Sequence, residues 1–310
     1  MKFWPSALVL LLIHVLVLGA GFVAPYDPAA QNRDLAYVPP MRVHFSHGKP
    51  VVYRMRAEGE TYREDPQRVY PIRFFVSGHL FGVDDPGRVF LLGTDEFGRD
   101  QLSRIVYGGR ISLAAGLAAT ALTLVLGILF GSLAGLYGGW CDATLMRLAE
   151  LFLALPWLYL LLAVRAFLPL SLSPGGTFFL LAGVIGAVGW ARPARLIRGI
   201  VLTAKEREYV YAARGFGASE AHLMLHHILP QARSAILTQA SLLVPQYILA
   251  EVTLSFLGLG VGEPAASWGS MLTPVREIAV LTAYWWMALP ALALLPVILC
   301  YYRLARVAGE

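Results

Sequence analysis

Six apolar windows, near 5–23, 109–136, 143–168, 175–199, 233–257 and 283–305, run through this 310-residue chain. A helix rises about 1.5 Å per residue, so about 20 apolar residues cross a hydrocarbon core about 30 Å thick. Hydrophobic residues make up 57% of the chain and charged ones 15%, which argues against a pair of ordinary soluble domains. The expected fold is an all-α polytopic membrane protein of six transmembrane helices, with a small β-containing insertion between the first two. The domains then read as an N-terminal helix over 1–23, an insertion and interfacial segment over 24–108, and a five-helix core over 109–310. The first window, behind Lys2, reads as an uncleaved span, because no small-x-small cleavage site is clean.

Basic residues in short loops near span ends stay on the cytoplasmic side. Arg192, Arg195, Arg198, Lys205, Arg207, Arg214 and Arg233 surround 199–232, and Arg303 and Arg306 follow the last window. The 258–282 loop carries Arg276 against Glu263 and Glu277. Both termini and the 199–232 loop are therefore expected in the cytoplasm, with 24–108 and 258–282 outside. Within the insertion, 41–45, 50–55 and 69–76 read as strands, with Gly48, Gly59 and Pro66 marking turns. Tyr26-Asp27-Pro28 reads as a turn just outside the first span. Pro156 and Pro245 fall inside windows, where neighbouring helices can satisfy the freed backbone groups. Gly127, Gly131 and Gly135 recur every fourth residue, a spacing that lets helices approach closely.

The block 208–230, EYVYAARGFGASEAHLMLHHILP, is polar and helix-forming between two apolar windows. From Lys205 to Arg214 it is charged and helix-compatible, with Ala212 and Ala213 as a small, flat surface. Gly215 and Gly217 disfavour continued helix, Ser219 is an N-cap for a second short helix to Leu229, and Pro230 opens the next span. Two short helices meeting at a glycine make a compact knob. The competing reading is an amphipathic hairpin lying on the membrane surface.

Ala212, Ala213, Gly217, Leu229 and Pro230 match a motif written EAA, three residues, Gly, about nine residues, and I-x-L-P. On these residues the chain resembles the permease subunit of a binding-protein-dependent ABC importer. Tyr211 stands where the motif has Glu, Ile228 lies one place later than the pattern, and Glu208 sits three residues before Tyr211 on a similar helix face. Two further blocks, LLGTDEFGRDQLSRIVYGGRISL at 91–113 and ILAEVTLSFLGLGV with PAASWGSML at 248–272, resemble the C subunit of dipeptide and oligopeptide permeases. The insertion over 37–90 is longer than in common members.

The resemblance implies a type I ABC importer-like fold in a prokaryotic plasma (inner) membrane. It implies a second homologous permease subunit around a shared path, an extracytoplasmic solute-binding protein, and short peptides as cargo. Nickel chelates or sugars are the alternative cargo. Two cytoplasmic ABC ATPases would dock at Glu208, Tyr211, Ala212, Ala213, Gly217, Ser219, Leu229 and Pro230. ATP and Mg belong to those partners: this chain has no G-x-x-x-x-G-K-[ST] loop, so no cofactor and no nucleic acid is assigned to it.

Glu251, a carboxylate deep in the fifth window, is expected to line the translocation path, or else to bond a neighbouring helix near Thr253 or Ser255. Gly93, Thr94, Asp95, Gly98, Arg99 and Asp100 read as a structural motif. Thr94 or Asp95 would cap a short interfacial helix that Arg99 and Arg104 anchor at the outer surface. Arg147 and Glu150 are spaced to pair, and Arg165 to snorkel. His222, His226 and His227 lack the Glu of H-E-x-x-H, so no metal site is assigned, and Cys141 and Cys300 read as small apolar residues. No catalytic residue is assigned, since G-x-S-x-G is missing and His14 is the one histidine inside a window. An intramembrane hydrolase and a secondary transporter are the rivals outside this class; the first lacks its catalytic groups, and the second would leave the knob unexplained.

Overall fold

The computed structural model describes residues 4–59, 61–167 and 172–309. Lys2 lies outside them, as does the side chain of Arg165. The chain forms two compact units, one built on Ala114–Glu251 with the chain's two ends and one on Val9–Leu113 with Val252–Val297.

Three helical stretches, Gln101–Tyr137, Glu220–Phe256 and Trp285–Ala308, are long and apolar enough to cross a membrane. Two further pairs qualify if each bent pair is one span: Gly139–Ala154 with Trp157–Val164, bent by 93°, and Pro174–Gly189 with Ala191–Ala204, bent by 44°. The apolar helix Trp4–Leu18 has 15 residues, about 22 Å of rise, short of a core about 30 Å thick. Six full spans are thus not reached by length among the described residues. The expected single span over 143–168 is broken at Pro156. Leu155, just before the proline, is extended at φ −84° and ψ 138°, as the clash with a following pyrrolidine ring requires. Pro245, by contrast, sits inside an unbroken helix, Arg233–Phe256.

In the first unit the stripe Gly127, Gly131 and Gly135 lies against the Ala191–Ala204 helix. A Cβ built on these glycines would stand 2.6 Å from Pro193 Cβ, 2.5 Å from Ala194 O and 2.7 Å from Val201 Cβ. Small residues here let two backbones touch, the packing that works where lipid is as apolar as leucine. Trp190 seals the contact edge-on to Phe130 and Phe152, at 4.8 and 5.7 Å between ring centroids. Arg198 forks onto Asp142, tying this helix to Gly139–Ala154. Arg147 and Glu150 pair at 3.0 Å on an exposed face.

In the second unit, β1 (His44–Ser46), β2 (Lys49–Glu58) and β3 (Thr61–Pro71) form an antiparallel sheet in that order, and β4 (Arg73–Val76) pairs with β5 (His79–Gly82). Both the β1–β2 and β4–β5 turns have two residues at positive φ: His47 and Gly48 at 49° and 75°, and Ser77 and Gly78 at 50° and 83°. That geometry follows the right-handed strand twist. Pro66 does not mark a turn. The register jumps from Tyr53↔Val69 to Arg54↔Asp65, leaving Pro66 in a bulge, where its missing N–H breaks no ladder bond. Val38, Met41, Val52, Val89 and Phe90 form the core. Tyr26 braces it by accepting the Val89 N–H at 2.8 Å, and burial pushes its hydroxyl up to about 12.

Candidate functional site

The knob is built from a buried inner face outward. Val210, Leu223, Met224 and Ile228 pack on Ile197 and Val201, and Lys205 Nζ donates to Gly135 O at 3.0 Å. The first short helix is Glu208–Gly215. It ends in a Schellman arrangement, with Ala218 N donating to Ala213 O at 3.1 Å and Gly217 N to Arg214 O at 3.0 Å. Gly217 takes φ +87° there. Arg214 then spans the turn with two bonds to Glu220, at 3.0 and 3.1 Å.

Ser219 Oγ accepts the His222 N–H at 3.3 Å and caps the second helix. That helix stays α only over Glu220–Leu223, then widens to a π turn at Met224–Ile228 and tightens to a 3-10 turn at Leu229–Ala232. The α-helix expected to reach Leu229 is therefore shorter. Pro230 has no N–H for the carbonyl four residues back and its ring crowds that carbonyl, so the turn before it opens. The next α-helix begins at Arg233 rather than at the proline.

On the outer surface Glu208, Tyr211, Ala212, Gly217, Ser219 and Pro230 are exposed, with Ala213 and Leu229 half-buried. Tyr211 donates to Glu206 Oε2 at 2.7 Å, which raises its hydroxyl pKa. A carboxylate thus stands beside the position where the motif's Glu would be. His222 and His226 stack at 4.3 Å on the same surface. Sequence reasoning passed over Phe216, which is 93% exposed at the turn. Its signal was an aromatic residue wedged between two helix-breaking glycines.

Gly217→Val should strain the turn, since a β-branched residue at positive φ costs about 1–2 kcal/mol. Hydrogen exchange at Gly215–Ala218 would read that as faster opening, and unchanged protection would refute it.

The second cluster gathers Gly93–Asp100. Thr94 and Asp95 do not cap a helix. Thr94 Oγ1 accepts the Val38 N–H at 2.8 Å and donates to Leu35 O at 2.6 Å. Asp95 accepts the N–H groups of Phe97 and Arg99, both at 2.9 Å, and Arg99 Nε at 2.6 Å. Nor do Arg99 and Arg104 anchor at a surface. Both are buried and converge on Glu263 at 2.5 and 3.1 Å. Burial works to raise the Glu263 carboxyl, but the guanidiniums of Arg104 and Arg99 outweigh it and hold it below the usual range. Gly98 takes φ +69°, and a Cβ there would lie 1.8 Å from Asn32 O, so no other residue fits. Glu251 is fully buried in its helix.

The cap of the long helix is Asp100, whose Oδ2 accepts Ser103 N and Oγ at 2.8 and 2.6 Å. Burial pushes its carboxyl from 3.8 to about 6. A raised acid stabilises the fold fully below its unfolded value and loses that contribution as pH rises through about 6. Asp100→Asn removes the titration. The stability of the wild type relative to this variant should fall by about 2 kcal/mol from pH 4 to pH 7. A pH-independent difference in chemical denaturation would refute it.

The family model described as "Binding-protein-dependent transport system inner membrane component" matches residues 127–309. The Di/tripeptide transport system permease protein DppC of Pseudomonas aeruginosa is 37% identical over 290 residues, covering 93% of this chain and 80% of the relative. The Oligopeptide transport system permease protein OppC of Bacillus subtilis is 39% identical over 213 residues, covering 68% of this chain and 67% of the relative.

Proposed function

The chain belongs to the family of binding-protein-dependent transport system inner membrane components, and on that premise we propose that it is the membrane permease subunit of an ATP-driven importer of short peptides. Peptide cargo rests on the likeness to permeases of di/tripeptide and oligopeptide transport systems. A second homologous permease would close the path with it, and an extracytoplasmic binding protein would deliver cargo. Both termini lie in the cytoplasm, and six segments cross the inner membrane, the bent and short ones included.

The knob is the entry point for force. Its inner face is locked into a buried cluster while its tip presents an exposed aromatic ring, Phe216, beside the exposed Tyr211 and Ala212. That one observation carries the reading: a rigidly held small protrusion with an exposed aromatic end suits a cleft on a separate ATPase. Two such ATPases, binding ATP and Mg, would rock the paired permeases, and this chain would do no catalysis. Glu251, a buried carboxylate in a helix that crosses the bilayer in this reading, lines or gates the path.

Co-purification from the native membrane tests this reading. Two ABC ATPases and a second permease should accompany the chain, and short peptides with the binding protein should stimulate ATP hydrolysis. Absence of any ATPase, with proton-driven uptake in its place, would overturn it. Glu251→Gln should slow peptide uptake while leaving ATPase association intact. Unchanged uptake and stimulation would remove Glu251 from the path.

A further inference from the structure

Beside the Asp95 cluster, within the second unit, lies a cavity of about 290 Å³ walled by Phe97, Pro274, Met271 and Met287 together with Glu96 and Gln101. Gln101 is 1% exposed. Its amide nitrogen donates to Met287 Sδ at 2.9 Å, while its carbonyl oxygen is buried without a hydrogen-bond partner. Glu96, whose side chain is 31% exposed, also has its Oε2 atom covered and unpartnered, and the nearest guanidinium nitrogen to its other oxygen is Arg99 Nη2 at 3.8 Å, too far for a hydrogen bond. Buried polar atoms are almost always paired, so two orphans on one cavity need an account.

Both orphans are acceptors, so the missing group is a donor. The local charges give its sign. Arg99 and Arg104 spend their short contacts on Asp95 and Glu263, which leaves Glu96 as the surplus anion. Burial raises the Glu96 carboxyl, outweighing the pull of the Arg99 and Arg104 charges in the other direction. A neutral water meets an acceptor but not the charge. Among the described residues no three His, Cys, Asp or Glu side chains are grouped to hold a metal ion, and the rest of the wall joins the mutually paired Arg99, Arg104, Asp95 and Glu263 to a few hydroxyls and an apolar stretch of ring, proline and thioether. A group with several N–H donors, a positive charge and an apolar body fits all of these.

We propose that this cavity binds a primary ammonium group, with the Glu96 carboxylate as its counter-ion and the Gln101 carbonyl as second acceptor. Its volume is near the small end of ligand pockets and holds a residue-sized amine. The same ammonium chemistry occurs at the amino end of a short peptide and in an ethanolamine lipid headgroup. The inference goes beyond the permease reading and involves no residue of the knob.

The test is calorimetric titration of the purified full-length chain in detergent with L-alaninamide and with N-acetyl-L-alaninamide. The amine should bind, and the acetylated compound should bind about tenfold or more weakly. Glu96→Gln keeps size and shape and should weaken the amine by about tenfold or more, with the melting temperature unchanged. Gln101→Met should weaken it severalfold and serves if the first variant misfolds. In nanodiscs, competition by ethanolamine lipid but not by glycerol lipid identifies a headgroup as the natural ligand, and equal affinity in both identifies a soluble amine. Equal binding of both titrants, no binding at millimolar amine, or wild-type affinity in both variants overturns the proposal. ATPase co-purification is a separate readout, so either idea can fail without the other.

Discussion

Phe216→Asp is expected to abolish peptide uptake and ATPase co-purification while leaving the permease folded in the membrane. The ring is 93% exposed, so its loss removes no core packing. A substitution at such a position changes stability by about 0.5 kcal/mol or less. Exposed aromatics that become buried on binding are different, since truncating one costs about 2 kcal/mol or more, at least a thirtyfold loss of affinity. Aspartate adds a charge that must be desolvated in the cleft, so it should exceed that loss, and Phe216→Ala should fall between. Tyr211→Phe supplies a comparison, because it removes only the hydroxyl bound to Glu206 and should weaken association modestly. The measurement is the amount of ATPase retained on the tagged permease, alongside the stimulated hydrolysis rate. If Phe216→Asp retains ATPase and transport, the knob is not the docking surface, even though the family membership stands.

Some of this site was legible in the chain and some was not, for physical reasons. Apolar windows locate helices well, because lipid offers no hydrogen bonds and the backbone must satisfy itself. They are blind to breaks. Pro156 and Pro245 have the same local signature, yet one helix turns by 93° and the other runs through. Packing decides which, and packing is not local. The hairpin at His47-Gly48 was readable from its turn residue, whereas Pro66 needed knowledge of the partner strand's register. Ser219 and Gly217 declare the knob by cap chemistry, which is local. Phe216 was missed because hydrophobicity alone predicts burial, and only the fold shows a ring left outside. Within the GTDEFGRD block, the helix cap expected of Thr94 or Asp95 and the surface anchor expected of Arg99 and Arg104 are not what the fold makes of them. Glu263, the group that completes it, lies 164 residues from Arg99, beyond any spacing argument.

That completed cluster yields the largest expected stability effect, from Asp95→Ala. The side chains of Asp95, Arg99 and Arg104 are 3%, 4% and 2% exposed, so water screens little of their interaction. Asp95, like Glu263, bridges both guanidiniums, and it also accepts two backbone N–H groups. Removing it leaves two buried cations facing Glu263, which is half exposed, and strips the turn of its backbone acceptor. Breaking a buried ion pair from one side costs about 3–5 kcal/mol, whereas replacing the whole group with apolar residues is often near neutral. Asp95→Ala should therefore lose most of the monodisperse protein on solubilisation. Asp95→Asn, which keeps an acceptor for the turn, should lose less. The combination Asp95→Leu, Arg99→Met, Arg104→Met and Glu263→Gln should recover much of the loss, because none of these four side chains then carries a charge. Size-exclusion profiles after a heating series order the four proteins. If Asp95→Ala survives like the wild type, the cluster is a bystander and the turn is held by Thr94 and its bonds to Val38 and Leu35. If the combined variant is as weak as Asp95→Ala, the carboxylate's role is the backbone turn rather than the neutralisation of Arg99 and Arg104.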